Sequence, residues 1–170
     1  MMLNVLQRLA ALTALLSLSA AAQAATVYDL TGASPFGFSN QNPAAAGWSQ
    51  TVTYTDVTIS APLADLSSGG PIAGVQGTVY LMNQVGLGTT SANNVAPPVT
   101  ISGLTASFTP RVLFSGLTLG PGNYYLVWVS TSTGGLSMSM QGSGGPLNLT
   151  LGTGVADLGN SSGLVPAPFP

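Results

Sequence analysis

The sequence predicts an all-β protein, a single antiparallel β-sandwich of jelly-roll or Greek-key type. Three observations predict it. Short runs of β-branched and aromatic residues recur along the chain between turns rich in Gly and Pro, and the 170 residues include 22 Gly and 12 Pro. Beyond the first two dozen residues no segment has an amphipathic helical period or a capping box at a helix start. The chain also lacks Lys and Glu, two of the better helix formers. No internal repeat at a fixed period points to a propeller or a solenoid. About seven to nine strands are expected from the usual spacing of such domains.

Residues 1–24 have the form of a signal peptide. Arg8 supplies the positive start, residues 9–18 are apolar, and Ala22-Gln23-Ala24 fits the small-residue cleavage pattern. The apolar run is about half the roughly twenty residues that a membrane span requires. Cleavage after Ala24 leaves a mature chain starting at Ala25, with no transmembrane segment expected in it. A β-sandwich domain is then expected over 25–158, followed by a Pro-rich tail over 159–170.

Residues 26–30 form a short first strand, and 31–47, rich in Gly, Pro, Ser and Asn, a long loop. Residues 49–60 form the next strand, with a fault in its phase. Val52 and Tyr54 share one parity, Val57 and Ile59 the other. Side chains alternate along a strand, so one regular strand cannot bury both pairs on one side. One extra residue near Thr55-Asp56, a β-bulge, restores the match; a pair of shorter strands is the alternative. Residues 63–74 are loop, with Ser67-Ser68-Gly69-Gly70-Pro71 as its most flexible part. The strand at 75–82 sets Val75, Val79 and Leu81 on one face and Tyr80 and Met82 on the other. Residues 86–98 are loop; 99–101 and Ser107-Phe108 are weaker strand candidates.

The densest apolar stretch runs over residues 112–129. It reads as a hairpin, two strands joined at Gly120-Pro121-Gly122 by a type II turn, with Pro presetting φ and Gly accepting φ > 0. Its second strand, 124–129, has no polar alternation, as expected of a strand covered on both faces. Past Thr133-Gly134-Gly135, residues 136–140 and 147–151 alternate cleanly and read as strands with one wet face.

The ionisable inventory is the strongest functional statement. The chain has no His and no Cys. Its charged side chains are Arg8, Arg111, Asp29, Asp56, Asp65 and Asp157, 4% of residues against roughly 25% in ordinary soluble domains. With no disulfide or thiolate chemistry and no imidazole, the usual general base and zinc ligands are missing. Nucleic-acid binding needs cations to displace counterions, and the mature chain offers Arg111 alone. The four Asp have no local pairing of the kind two-carboxylate catalysis uses, and they read as strand-end, bulge and turn residues. The serines have no base, and Gly142-Ser143-Gly144-Gly145 is not a nucleophile elbow between strand and helix. Gly86-Leu87-Gly88 and Gly152-Thr153-Gly154 open no helix and precede no Lys, so neither reads as a phosphate loop. No catalytic residues, resident cofactor or dedicated metal site are therefore expected, and the chain reads as non-enzymatic. A structural calcium held by Asp29, Asp56 or Asp157 with backbone carbonyls is the one metal option. Asn148 and Asn160 begin short glycosylation-type patterns to which a bacterial-looking leader gives little weight.

Aromatic residues carry the remaining functional signal. Trp128 and Tyr124 share one face of an apolar strand and read as core. Trp48, beside a Gly/Pro-rich loop, and Phe36 and Phe38 within it are the candidate ligand-binding residues: flat rings of this kind stack on sugars. Low charge leaves sheet edges weakly protected, so self-assembly also stays open, and oligomeric state is not fixed.

The leader, the Thr-rich segment 51–60, Gly77-Thr78-Val79-Tyr80-Leu81-Met82 and Leu113-Phe114-Ser115-Gly116-Leu117-Thr118-Leu119-Gly120-Pro121-Gly122-Asn123-Tyr124-Tyr125-Leu126 together resemble secreted bacterial proteins of the PEP-CTERM group. That resemblance implies a β-sandwich ectodomain poor in Cys and Lys, exported in connection with exopolysaccharide. Members of the group end in Val-Pro-Glu-Pro, an apolar span and a basic tail. Here Val165-Pro166-Ala167-Pro168 has Ala167 in place of Glu and no span follows, which implies either truncation or a released relative. The expected function is thus a secreted, non-enzymatic protein of the cell surface or extracellular matrix, in contact with polysaccharide. The alternative is a carbohydrate-binding module with an exposed aromatic platform.

Overall fold

A computed structural model describes residues 27–31, 35–38, 43–65, 76–107, 109–130, 138–141 and 148–161. The fold is all-β, in antiparallel sheets. Among the described residues there are eleven strands: β1 (Tyr28–Thr31), β2 (Pro35–Phe38), β3 (Ala44–Gln50), β4 (Tyr54–Asp65), β5 (Gln76–Met82), β6 (Val99–Ser102), β7 (Thr109–Leu119), β8 (Gly122–Ser130), β9 (Met138–Gln141), β10 (Asn148–Leu151) and β11 (Val155–Ser161). One sheet has the order β11-β3-β8-β5-β6 and the other β2-β9-β4-β7; β1 and β10 form a separate pair. The two larger sheets share one apolar core. Trp48, Val79, Leu81, Leu126 and Trp128 enter it from the first sheet, and Val57, Leu63, Leu113, Phe114 and Leu119 from the second. No helix among the described residues is long and apolar enough to cross a membrane.

The phase fault is a bulge. Tyr54 pairs Leu119 and Val57 pairs Leu117, so β4 carries an extra residue at the place its pattern indicated. Asp56 takes it up at φ 54°, a left-handed conformation that a short polar side chain tolerates. Tyr54, Val57 and Ile59 thereby all face one core. Strand β7 answers with two irregularities of its own. Gly116, at φ 67°, lies where Val57↔Leu117 gives way to Ile59↔Phe114, and Leu113 is the extra residue before Ser60↔Val112. The second shift lets the neighbours Leu113 and Phe114 both be buried, which a regular strand forbids.

The hairpin is the main correction. Both strands of the 112–129 stretch exist, but they are not partners. Strand β7 pairs β4 in one sheet, whereas β8 pairs β3 and β5 in the other. Gly120 and Pro121 carry the chain across the sandwich. The type II turn is not adopted either. Gly122 has φ 157°, well beyond the roughly 80° of that turn, and instead opens β8 opposite Gln50. The physical reason lies in the side chains: Leu119 and Tyr124 both bury into the shared core, which two paired strands of one sheet at this spacing need not do. The expected cover on both faces holds. Strand β8 is central in its sheet, with Tyr124, Leu126 and Trp128 in the main core. Val127 packs with Ala45 and Met82 on the opposite face. Strand β5 divides as its pattern indicated, Val79 and Leu81 inward, Met82 and Tyr80 on the other face.

Other boundaries move. The expected loop at 31–47 contains β2 and most of β3; small Ala and Gly side chains there suit a strand lying under large neighbours. An alanine Cβ at Gly47 would meet the Tyr125 ring at 2.8 Å. The single strand at 49–60 is broken at 51–53 as well as bulged. Ser107 lies in a bend rather than a strand, and β7 starts at Thr109. Strand β11 runs to Ser161, three residues into the expected tail, after a register shift between Asp157 and Gly159. The leader, the Ser67–Pro71 and Gly142–Gly145 segments, Phe108 and the rest of the tail lie outside the described residues.

Candidate functional site

The corner between β7 and β8 is built by three side chains. Gln50, at the end of β3, is 3% exposed and fully engaged. Its Oε1 accepts from Trp48 Nε1 at 3.1 Å, while its Nε2 donates to the carbonyls of Leu119 (2.8 Å), Gly120 (3.0 Å) and Val52 (3.1 Å). One amide thus ties β3 of one sheet to the end of β7 in the other. Tyr124 Oη donates back to the Gly120 carbonyl at 2.8 Å, a tyrosine corner in which a ring spans the turn that changes sheets. Burial pushes the Tyr124 phenol above its ordinary value. Trp48 stacks on Tyr124 at 5.6 Å between ring centroids and 25° between planes, directly across the β3–β8 pair.

Trp48 is therefore not an exposed platform: at 4% exposure it is a core residue. Its position beside a Gly/Pro-rich stretch gave no sign of this, because the residues immediately before it, 44–47, are already strand and alternate inward with it. Phe36 and Phe38 lie on β2, in the opposite sheet from Trp48, and their side chains are outside the described residues. The fold does not assemble the three on one strand or one sheet. Trp128, at 1% exposure, is core as expected.

The connection from β5 to β6 is ordered rather than slack. Met82 bridges Asn94, Asn83 N–H donates to Asn93 O at 3.0 Å, and Val95 N–H to Leu81 O at 2.8 Å, so the loop folds back along the end of β5. Residues Ser91–Asn93 form a turn of 3-10 helix with a reciprocal cap. Thr90 Oγ1 accepts from Ala92 N–H, and Asn93 Oδ1 accepts from Thr90 N–H at 2.9 Å. The absence of any capping box is thus corrected: Thr90-x-x-Asn93 is one, with Asn in the place that Glu or Gln usually holds. The other end of Asn93 does a second job. Its Nδ2 donates to Asn83 Oδ1 at 3.1 Å and Gln84 Oε1 at 3.3 Å.

Between this loop and the β7–β8 corner lies an open cleft of about 620 Å³, lined by Asn83, Gln84, Asn93 and Val95 from the loop and by Pro121, Gly122, Asn123 and Tyr124 from the corner. Every lining side chain is uncharged. Carboxamides bind hydroxyl and amide groups but neither take up a proton near neutral pH nor attack a substrate. Sequence reasoning missed the cleft because its residues come from two connections far apart in the chain, the β5–β6 loop and the β7–β8 corner; Thr90-x-x-Asn93 was the one local signal.

The charged residues lie elsewhere. Arg111 Nη1 and Nη2 donate to the carbonyls of Ser102 (2.8 Å) and Gly103 (2.9 Å), clipping β7 to the end of β6 across the open side of the sandwich. Asp56 occupies the bulge, and Asp157 Oδ1 accepts from Gly159 N–H at 2.9 Å at the β11 irregularity. Asp29 is in β1 and Asp65 ends β4. No group of three or more His, Cys, Asp or Glu able to hold a metal occurs among the described residues. No protein-family model, curated protein or solved structure matches the chain.

Proposed function

We propose that this chain is a secreted, non-enzymatic β-sandwich protein of the bacterial cell surface or extracellular matrix, associated with exopolysaccharide, and an ectodomain of the PEP-CTERM type. The observation that carries the reading is its scarcity of charge, with 4% of residues charged. Past the leader the sole cation is Arg111, and its guanidinium is engaged by backbone carbonyls. What the sandwich offers to its surroundings is hydroxyl and carboxamide, groups that hydrogen-bond to hydrated polymers without drawing counterions. The signal-peptide pattern at 1–24 supports export, and the cleft lined by carboxamides supports contact rather than conversion.

The alternative, a carbohydrate-binding module with an aromatic platform, loses Trp48 to the core and rests on Phe36 and Phe38. Fractionation of a culture expressing the chain tests the main reading. The mature protein is expected outside the cytoplasm, beginning at Ala25, and sedimenting with matrix polysaccharide. A cytoplasmic product with an uncut leader refutes it.

A further inference from the structure

We infer that the cleft between the β5–β6 loop and the β7–β8 corner is a binding site for a neutral glycan segment; this rests on the matrix reading above and gives it a location. Three features carry the inference. First, Asn93 acts as a clamp. By donating to Asn83 Oδ1 and Gln84 Oε1 it fixes which end of each carboxamide is used internally, and among the described residues neither Asn83 Nδ2 nor Gln84 Nε2 donates a hydrogen bond. Two amide groups held by one neighbour, with their donors unspent, form a preorganised pair that a ligand rich in hydroxyl oxygens satisfies. Asn123, exposed on the opposite wall, adds a carboxamide with both a donor and an acceptor.

Second, the lining is mixed. Val95, which is 36% exposed, lies on the loop that carries three of the amides, and Pro121 lies near Asn123 on the corner, so apolar surface adjoins the carboxamides. A sugar ring has the matching character, with hydroxyls around its edge and C–H bonds on its face. Third, no lining side chain is charged near neutral pH, so a charged ligand finds no counter-ion and gains no more than a neutral one. That selects a neutral glycan over a uronic-acid or phosphate polymer. Asn94, between two lining residues, keeps a buried Oδ1 with no hydrogen bond, the kind of unmet polar group that stable folds retain sparingly and often at functional surfaces.

The test uses the exported full chain. Binding is measured by calorimetry to linear neutral oligosaccharides of glucose, mannose, galactose and N-acetylglucosamine, with oligogalacturonate as the charged comparison. At least one neutral probe is expected to bind, with affinity unchanged between low and high salt. Gln84→Ala and Asn123→Ala are each expected to weaken it about tenfold, the loss of one good hydrogen bond. Among the described residues the exposed Asn123 side chain makes no hydrogen bond, so its variant tests the cleft while leaving the β3–β8 backbone pairing in place. The inference is overturned if no neutral probe binds, if both variants bind like the parent chain, or if oligogalacturonate is preferred. Matrix sedimentation of the parent chain reads the broader function separately: its loss removes the matrix reading, while the oligosaccharide panel alone decides the cleft.

Discussion

Gln50→Ala is expected to be the most costly single amide deletion in the chain. The side chain makes four hydrogen bonds, one to an indole and three to carbonyls. The amide shares two N–H groups among the three carbonyls, so with the bond accepted from Trp48 it makes about three bonds' worth, and at about 1 kcal/mol net each complete loss costs about 3 kcal/mol. The contacts to Val52 and Gly120 are only part-buried, and water entering there recovers some of it, leaving about 2 kcal/mol. Urea unfolding followed by tryptophan fluorescence measures it directly, because Trp48 itself reports on the corner. The midpoint should fall with an unchanged m-value. Gln50→Met separates polarity from packing: it keeps similar length and volume but makes none of the four bonds. If the corner is held by the amide, Met is nearly as damaging as Ala. A loss below about 1 kcal/mol in both variants, or full recovery with Met, refutes the assignment of Gln50 as an inter-sheet tie.

Tyr124 predicts an alkaline limb. Burial raises its phenol above the value near 10 that it has in the unfolded chain, so its contribution is intact below about pH 10 and is lost as pH rises through the folded value. Tyr124→Phe should cost about 1 kcal/mol at neutral pH and flatten that limb in pH-dependent thermal melts. Gly47→Ala places a Cβ 2.8 Å from Tyr125 Cδ1 and 3.3 Å from Leu158 Cβ, and is expected to destabilise by about 1–3 kcal/mol in urea unfolding. Arg111→Lys cannot reproduce the two-carbonyl fork and should cost about 1 kcal/mol. Because its guanidinium partners are carbonyls and not carboxylates, the loss should be nearly the same at low and high salt.

The sequence revealed periodicity well and partnership poorly. The bulge at Asp56 was legible because a parity fault is a local property of four residues, Val52, Tyr54, Val57 and Ile59. The division of β5 between Val79/Leu81 and Tyr80/Met82 was legible for the same reason. Which strand lies beside which is not local. Gly120-Pro121-Gly122 has the composition of a tight turn whether it joins two strands of one sheet or carries the chain between sheets. The deciding contacts come from Gln50, about 70 residues earlier in the chain. The cleft was illegible on similar grounds. Asn83, Asn93 and Asn123 are unremarkable loop residues until the backbone pairing of 82–83 with 93–95 sets two of them side by side.

The core and the cleft are coupled by one residue, and this changes what Trp48 means. Tyr124 stands in the cleft wall, with its hydroxyl fixed to Gly120 and its ring backed by Trp48, which is held in turn by Gln50. A substitution at Trp48 that abolished ligand binding would therefore say nothing about stacking on sugar. It would report collapse of the support behind Tyr124. Asn123→Ala and Gln84→Ala avoid that ambiguity, since each acts on the cleft side of Tyr124. The comparison has a definite sign. Loss of binding with unchanged unfolding in those two variants, set against joint loss of binding and stability in Trp48→Ala, is the pattern expected of a rigid corner presenting a neutral cleft.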